Sequence, residues 1–411
     1  MPIFPRLLKT GLLAALQDTP VVCLLGPRQC GKTTLARTLE PDYAYLSFDD
    51  DATLTFAQAD PAGFVAALPP RVILDEIQRV PELLRAVKLA VDVDRRPGRF
   101  VLTGSANLML LPTLGDSLAG RMEVLQLHPL TAAEQAFAPG RFLSDLLAGA
   151  LKPSLSSTAL ADGEDLARRV VAGGFPEAVS RPESRARAWH RAYVRALLER
   201  DVRDVARVRD TAAIARLLEV LALRTAELLN VSSLGKELDL RRDTVEHYLA
   251  ICERLYLLRR LPPWHRNEAK RLIKTPKAHL LDSGLAATLA GLSAADWNAR
   301  RDRFGHLLES FVAQQLIAQA EAVDPDLRFW HYRDKDKVEV DFVITRGRQT
   351  WGVEVKAAAT VTPADGHGLR RLAERAGPDW QGGVLLHAGN SAFPLQGDRN
   401  LAAPLAWLWE M

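Results

Sequence analysis

Cysteine is scarce in this 411-residue chain, and the three present stand far apart: Cys23, Cys30 and Cys252. Their number and scatter exclude a disulfide framework and a cysteine-based zinc site, both of which need several thiols at regular spacing. Cys30 lies inside the glycine-containing loop described below, where oxidation would be harmful, so a reducing cytoplasm is the expected setting. Long apolar runs are missing too. No stretch reaches the ~18 residues that a membrane span needs, so no membrane partner is expected. The N-terminal stretch MPIFPRLLKTGLLAALQDTP lacks a leading basic region and a small-residue cleavage site, so it reads as a first helix and not as a signal peptide. Charge of one sign is also lacking: the formal net charge is +3, which names no partner by itself. There is no internal repeat and no low-complexity tract. What remains is an ordinary globular composition, 48% hydrophobic and 25% charged. The length suits two or three domains of ~100–200 residues each.

The first third alternates strand-like and helix-like stretches, the pattern of a parallel sheet. Expected strands are Val21–Leu25, Tyr43–Phe48, Arg71–Asp75, Phe100–Thr103 and Glu123–Leu127. Several are continuous apolar runs, as strands covered on both faces should be. The first leads into Gly26-Pro27-Arg28-Gln29-Cys30-Gly31-Lys32-Thr33, a full match to G-x-x-x-x-G-K-[ST]. Glycines let backbone N–H groups cradle phosphate oxygens, Lys32 bridges the outer phosphates, and the Thr33 hydroxyl ligates Mg²⁺. The following helix, from Thr34 to about Leu39, presents its N-terminus to the anion. Arg71-Val72-Ile73-Leu74-Asp75-Glu76 supplies the partner motif. Asp75 would hold Mg²⁺ through its water shell, and Glu76 would polarise the attacking water as a general base. In Phe100-Val101-Leu102-Thr103-Gly104-Ser105-Ala106-Asn107 an apolar strand runs into small polar residues. It should lie beside the phosphate-loop strand, where Ser105, with Thr103 and Asn107 as alternatives, would contact the water or the γ-phosphate. An ordinary strand-to-loop junction is the other reading.

These residues resemble the AAA+ ATPases with an additional catalytic glutamate, over about residues 1–200. The resemblance implies ATP and Mg²⁺ as cofactors, a homo-oligomer (a hexamer by analogy), and an arginine acting on the γ-phosphate, often from a neighbouring subunit. Arg121, in Leu118-Ala119-Gly120-Arg121, is the first candidate, with a structural ion pair as its alternative role. Arg28 and Arg6 follow.

Residues 231–261 read VSSLGKELDLRRDTVEHYLAICERLYLLRRL. Ser232 or Ser233 can cap a short helix, a tight turn follows near Asp239-Leu240, and Val245, Tyr248, Leu249, Cys252 and Tyr256 share one face of a longer helix. This is a helix-turn-helix pattern whose open face would offer Arg241, Arg242, Thr244 and His247. Between Arg259 and Lys277 stand Arg259, Arg260, Arg266, Lys270, Arg271, Lys274 and Lys277 against one acid, Glu268, with Trp264 and His265 among them. A basic hairpin after a recognition helix is how a winged helix meets DNA phosphates. Packing or protein contact is the alternative use.

Near the C-terminus, Glu309 lies on an expected helix Phe304–Ala320, Asp341 in strand Val338–Thr345, and Glu354 and Lys356 on one face of strand Trp351–Lys356. A helix near Thr362–Ala376 and the strand Val384–His387 follow. This order of helix, three strands, helix and strand resembles the PD-(D/E)XK nuclease fold. The resemblance implies that Asp341 and Glu354, helped by Glu309, bind a second Mg²⁺ or Mn²⁺, and that Lys356 orients the attacking water. Val340 stands where that motif has proline. An exposed acidic hairpin edge, or a nuclease fold used only for binding, are the alternatives.

The expected fold class is therefore α/β: a parallel-sheet P-loop core (1–130), a helical lid (131–208), a winged-helix segment (209–281) and an α/β nuclease-like domain (282–411). The segments GPRQCGKTTL, VILDEIQRVPELL, VLTGSANLMLL, SLAGR, LLDSGL, VEVDFVI and VEVKA together resemble a widespread prokaryotic group that joins an AAA-type ATPase to such a domain. That resemblance implies a DNA-linked ATPase, with branched DNA among its substrates and DNA cleavage by the attached domain. The alternative is a nucleotide-dependent signalling switch, in defence or toxin–antitoxin regulation, acting through protein contacts.

Overall fold

The computed structural model describes residues 2–104, 118–154, 163–202, 210–266, 275–397 and 399–411. Five parallel strands form the first sheet: β1 (Val21–Leu25), β2 (Ala44–Ser47), β3 (Val72–Asp75), β4 (Phe100–Gly104) and β5 (Met122–Gln126), in the order β2-β3-β4-β1-β5. All five expected strands are present, and β4 lies beside β1 in register from Val21 opposite Phe100 to Leu25 opposite Gly104. Alternation along β1 explains its unbroken apolar run. Val22 and Leu24 meet Leu8, Leu12 and Leu35 on one face, while Val21, Cys23 and Leu25 meet Phe64, Leu84 and Val87 on the other. Both faces of β1 are covered, so none of its positions is polar. Each fully buried Leu or Val contributes about 1.5–3 kcal/mol relative to exposure.

A helical block follows, with Phe142–Leu147, Gly163–Ala172, Glu183–Glu199 and Thr211–Leu223. The helix pair Val231–Leu238 and Arg242–Arg254 comes next, then an antiparallel hairpin of β6 (Leu258–Leu261) and β7 (Lys277–Leu280). The first helix of the pair is capped by Asn230, whose side chain accepts from the Ser233 N–H at 3.0 Å. The expected serine caps are displaced because the helix begins at Val231, earlier than the serines. It ends in Asp239 with φ 53°, and the Leu240 N–H returns to the Gly235 carbonyl at 2.8 Å. Gly235 is required there, since a Cβ would fall 2.8 Å from the Leu240 oxygen.

The second sheet contains β8 (Arg328–Arg333), β9 (Glu339–Arg346), β10 (Gln349–Lys356), β11 (Trp380–His387), β12 (Phe393–Pro394) and β13 (Asn400–Pro404), in the order β12-β13-β11-β10-β9-β8. The expected sequence of helix, three strands, helix and strand is present as Arg301–Val323, β8 to β10, His367–Ala376 and β11. One expected boundary moves. The helix Ser283–Ala290 packs within the helical block, where the Ser283 hydroxyl donates to the Val170 carbonyl at 2.7 Å. The block therefore runs past residue 281. Among the described residues no helix is long and apolar enough to cross a membrane.

The 23-residue helix Arg301–Val323 joins these parts. Its buried glutamines reach outward to the first turns of three other helices. Gln315 Oε1 accepts the Ala132 N–H at 2.6 Å, Gln319 Oε1 accepts the Leu143 N–H at 2.9 Å, and Gln314 Oε1 accepts the Ser283 N–H at 3.2 Å. First-turn N–H groups have no partner inside their own helix, so these amides act as caps supplied from a distance. Replacing Gln315 with Leu strands a buried donor, and urea unfolding should show a loss of about 1–3 kcal/mol; an unchanged midpoint would remove this role.

Burial holds the His190 imidazole down to about 4 from its ordinary 6.5, with the ring bonded through Nδ1 to Thr288 Oγ1 at 3.0 Å. The folded chain therefore holds fewer protons than the unfolded chain between pH 6.5 and about 4, so stability falls as pH drops through that window. His190→Gln should make the fall shallower by up to about 1.4 kcal/mol per pH unit in unfolding measurements between pH 7 and 5.

Candidate active site

The loop after β1 is shaped by glycine at the two positions where no side chain fits. Gly26 has φ 154°, and a Cβ there would fall 2.1 Å from the Leu127 carbonyl oxygen; Gly31 has φ 101° at the head of the helix Lys32–Arg37. Lys32 is buried and its ammonium donates to the loop's own carbonyls, Gly26 O at 3.1 Å and Pro27 O at 2.9 Å. The amine is thus folded back over the cradle that phosphates would fill. The Cys30 thiol is buried against the Leu127 carbonyl at 3.5 Å, inside the loop as its sequence position requires.

Asp75 closes β3 and collects three hydroxyls. Thr33 Oγ1 donates to both carboxylate oxygens at 3.2 and 3.1 Å, the Tyr45 phenol donates at 2.7 Å, and Thr103 Oγ1 donates as well. Burial, and then the carboxylate beside it, push the Tyr45 phenol up to about 12, so it stays a donor. Thr33 and Asp75 are hard oxygen donors facing each other at the lip of the loop, which fits Mg²⁺. Bound there, the ion would neutralise charge on the transferring phosphate. Glu76 follows in a left-handed conformation, φ 59° and ψ 43°, which turns its side chain away from the strand direction. A non-glycine residue held in that region is strained, a cost that functional sites commonly carry. Its N–H donates to Thr103 Oγ1 at 3.3 Å, and the Gln78 amide donates to its carboxylate. Thr103 is therefore a positioning residue for both acids. Sequence reasoning placed it behind Ser105 and missed Tyr45 and Gln78. Ser105 and Asn107 lie outside the described residues.

The arginine candidates separate cleanly. Arg28 makes a two-point bond with Asp201, 2.7 Å from Nε and 2.8 Å from Nη2, while the Tyr193 hydroxyl donates to the Arg28 carbonyl at 3.2 Å. Arg6 is structural: it donates to the Cys30 carbonyl at 2.7 Å, the His128 carbonyl at 2.6 Å and Glu134 at 3.1 Å, bolting the loop to the segment after β5. Arg121 stands at the start of β5, at the end of the sheet away from the phosphate loop, and pairs with Asp92 at 2.5 Å. The alternative role, a structural ion pair, is the one its own subunit gives it, and a cis role on the γ-phosphate is corrected.

The four C-terminal residues converge, with a fifth that sequence reasoning read as part of a basic surface. Lys277 on β7 is buried, its ammonium 2.9 Å from Glu309 Oε2, 3.2 Å from Asp341 Oδ1 and 3.8 Å from Glu339 Oε2. Burial works against its charge, but Asp341 and Glu309 outweigh it and raise the amine above its ordinary value. Lys356 lies 3.4 Å from Glu354 Oε1. Burial, and then Asp341, push Glu354 up to about 7.

Residues 18–136 match the AAA domain family, and residues 163–296 and 304–408 match two domains of unknown function, DUF8612 and DUF4143. An uncharacterized protein of Mycobacterium tuberculosis, Rv2008c, is 30% identical over 400 residues, which is 96% of this chain and 82% of that protein; Mb2031c of Mycobacterium bovis gives the same values. The chain belongs to their family. With its AAA domain it is a P-loop ATPase of the AAA type. Among solved structures it is similar to the Walker-type ATPase paby2304 of Pyrococcus abyssi, at 16% identity and a TM-score of 0.41 over 70% of this chain and 96% of that one. It is also similar to RuvB of Thermotoga maritima, at 20% identity and a TM-score of 0.30 over 62% and 89%.

On the helix pair of this ATPase, Arg241, Arg242 and His247 are exposed and Thr244 is partly so. The hairpin cations behave differently. Arg260 is bound to Glu253 at 2.5 Å and to Glu246 at 3.0 Å. Arg259 is partly buried, lining a cavity with Ile317, Glu321 and Leu327. Both are corrected as surface contacts, because acids brought close by folding claim one and the long helix covers the other. Arg266 is exposed, and Lys270 and Arg271 lie outside the described residues.

Two variants test the site. Glu76→Gln should keep ATP binding and lower hydrolysis by about 10²–10⁴-fold, the worth of a general base. Thr103→Val should also bind ATP normally and lose up to about 10²-fold in rate, since displacing a reacting group by about 1 Å costs that much. Equal loss of ATP affinity in both would return Thr103 to a purely structural part.

Proposed function

We propose that this ATPase couples Mg²⁺-dependent ATP hydrolysis to binding or remodelling DNA, with branched DNA among its substrates. The observation that carries the reading is the exposed pair Arg241 and Arg242, which opens the second helix of the helix-turn-helix unit and makes no ion pair among the described residues. Two helices joined by a left-handed turn and followed by an antiparallel hairpin support a winged helix, which lays its second helix in a groove of the duplex. Thr244, His247 and Arg266 would extend that face. Subunits of a homo-oligomer would complete the ATP site. Arg121 can serve as an arginine finger only from a neighbouring subunit, and mixing Lys32→Ala with Arg121→Ala chains would then restore part of the lost hydrolysis.

A second reading, a nucleotide-dependent switch that works through protein contacts, is favoured by the internal commitment of Arg259 and Arg260. These are two cations that a DNA-binding hairpin would otherwise spend on phosphates.

Steady-state hydrolysis with and without single-stranded, duplex and four-way-junction DNA decides between them, with Glu76→Gln as the blank. The DNA reading expects stimulation by at least one form. It also expects that Arg241→Ala with Arg242→Ala reduces the slope of log affinity against log salt by about 1–2. Hydrolysis unchanged across the panel, with a flat salt response, supports the protein-contact reading.

A further inference from the structure

We propose that the ammonium of Lys277 is the resident cation of the C-terminal acidic site, standing where a nuclease of similar element order would hold a divalent metal. The cluster is therefore an ionic lock, and the domain does not cleave DNA. This rests on the C-terminal geometry alone and is independent of the DNA reading above.

The oxygens that a metal would need are already committed. Glu309 gives Oε2 to Lys277 at 2.9 Å and Oε1 to His306 at 3.5 Å. Asp341 gives Oδ1 to Lys277 at 3.2 Å and Oδ2 to the Val355 N–H at 2.9 Å. Mg²⁺ held by the same two oxygens would sit about 2.1 Å from each, in the space the ammonium fills. Two cations that close repel strongly in a buried site where water screens little, so metal and lysine exclude each other. Among the described residues no group of three or more His, Cys, Asp or Glu side chains is arranged to hold a metal ion. Among the carboxylate oxygens of this cluster, Glu354 Oε2 alone is buried without a hydrogen-bond partner, and it lies against Gly368, where an added Cβ would fall 2.8 Å away. The backbone of Gly368 thus closes one side of that carboxylate.

Lys277 is not a surface cation turned inward by chance. It sits on β7 opposite Leu261 and is bridged to Leu228, while Pro276 accepts the Leu229 N–H at 2.8 Å. The backbone on both sides of the lysine is thus held by the helical block, and its side chain is held by Glu309 on the long helix and Asp341 on β9. The ion cluster ties the hairpin to the second sheet. A divalent metal could enter only by driving the lysine out and separating the two.

The test is Mn²⁺ binding to the full chain without nucleotide, followed by electron paramagnetic resonance, in an Asp75→Asn background that silences the ATP site. With Lys277 intact, no ion should bind below about 1 mM, and Mg²⁺ or Mn²⁺ should support no cleavage of supercoiled or junction DNA. Stoichiometric binding or cleavage that is lost in Asp341→Asn would overturn the proposal. Lys277→Ala should gain one Mn²⁺ with an affinity at least tenfold tighter, and the ion should raise its melting temperature. A folded Lys277→Ala chain that still binds no Mn²⁺ would also overturn it, since the acids would then not form a cation site at all. Lys277→Arg keeps a cation in place and should bind no metal. If Lys277→Ala does not fold, the intact chain and Lys277→Arg decide the matter, and metal bound by either refutes the lock.

Discussion

Three helices of this protein begin with backbone N–H groups that only distant side chains satisfy. Ala132, Leu143 and Ser283 each donate to a glutamine on the single helix Arg301–Val323. Thr131 and Asp282 cap other N–H groups in two of these first turns, but these three N–H groups depend on amides from the last third of the chain. Around them runs one continuous apolar core, from Ala132 and Phe142 through Leu217 and Leu249 to Phe311, Phe342 and Trp409. The consequence is architectural: the region after the ATPase sheet cannot be cut into independently stable halves, whatever its family boundaries at residues 296 and 304.

Two carboxylates on strands, Asp75 at the end of β3 and Asp341 within β9, show how surroundings decide chemistry. Asp75 faces the hydroxyls of Thr33, Tyr45 and Thr103. Hydroxyls are neutral, so they leave the carboxylate's charge uncompensated, and a cation is welcome. Asp341 faces an ammonium and a backbone N–H. Each of its oxygens already has a partner, and one of these carries a positive charge. Both stretches look alike on paper, an apolar strand carrying acid, and the difference comes from what folding brings opposite them.

That contrast also marks what could be read from the sequence. The ATP site was legible because its parts are local: the glycines, Lys32 and Thr33 are consecutive, and Asp75 and Glu76 end a strand whose apolar run announces it. The five strands and the helix-strand order of the second sheet were legible through periodicity. Long-range partners were not. Lys277 lies 32 residues from Glu309 and 64 from Asp341, and it was counted with hairpin cations of the same charge. Asp201 reaches Arg28 across 173 residues. Asn230 took the cap because the helix begins at Val231, ahead of both serines. Tyr45 carried no signal, since a tyrosine in a half-buried strand is ordinary.

The bond between Arg28 and Asp201 has a mechanical meaning. Asp201 is 4% exposed, and Arg28 is its one cation among the described residues. Arg28 also belongs to the loop that grips phosphate, so anions compete for the same guanidinium. Any phosphate that draws Arg28 aside strips a nearly buried carboxylate of its counter-charge. The imbalance falls just beyond the helix Glu183–Glu199, whose Tyr193 holds the same loop residue. An anion that took the guanidinium would leave that charge uncompensated at the end of a long helix. The loop and the helical block are thus joined through a single pair of charged side chains.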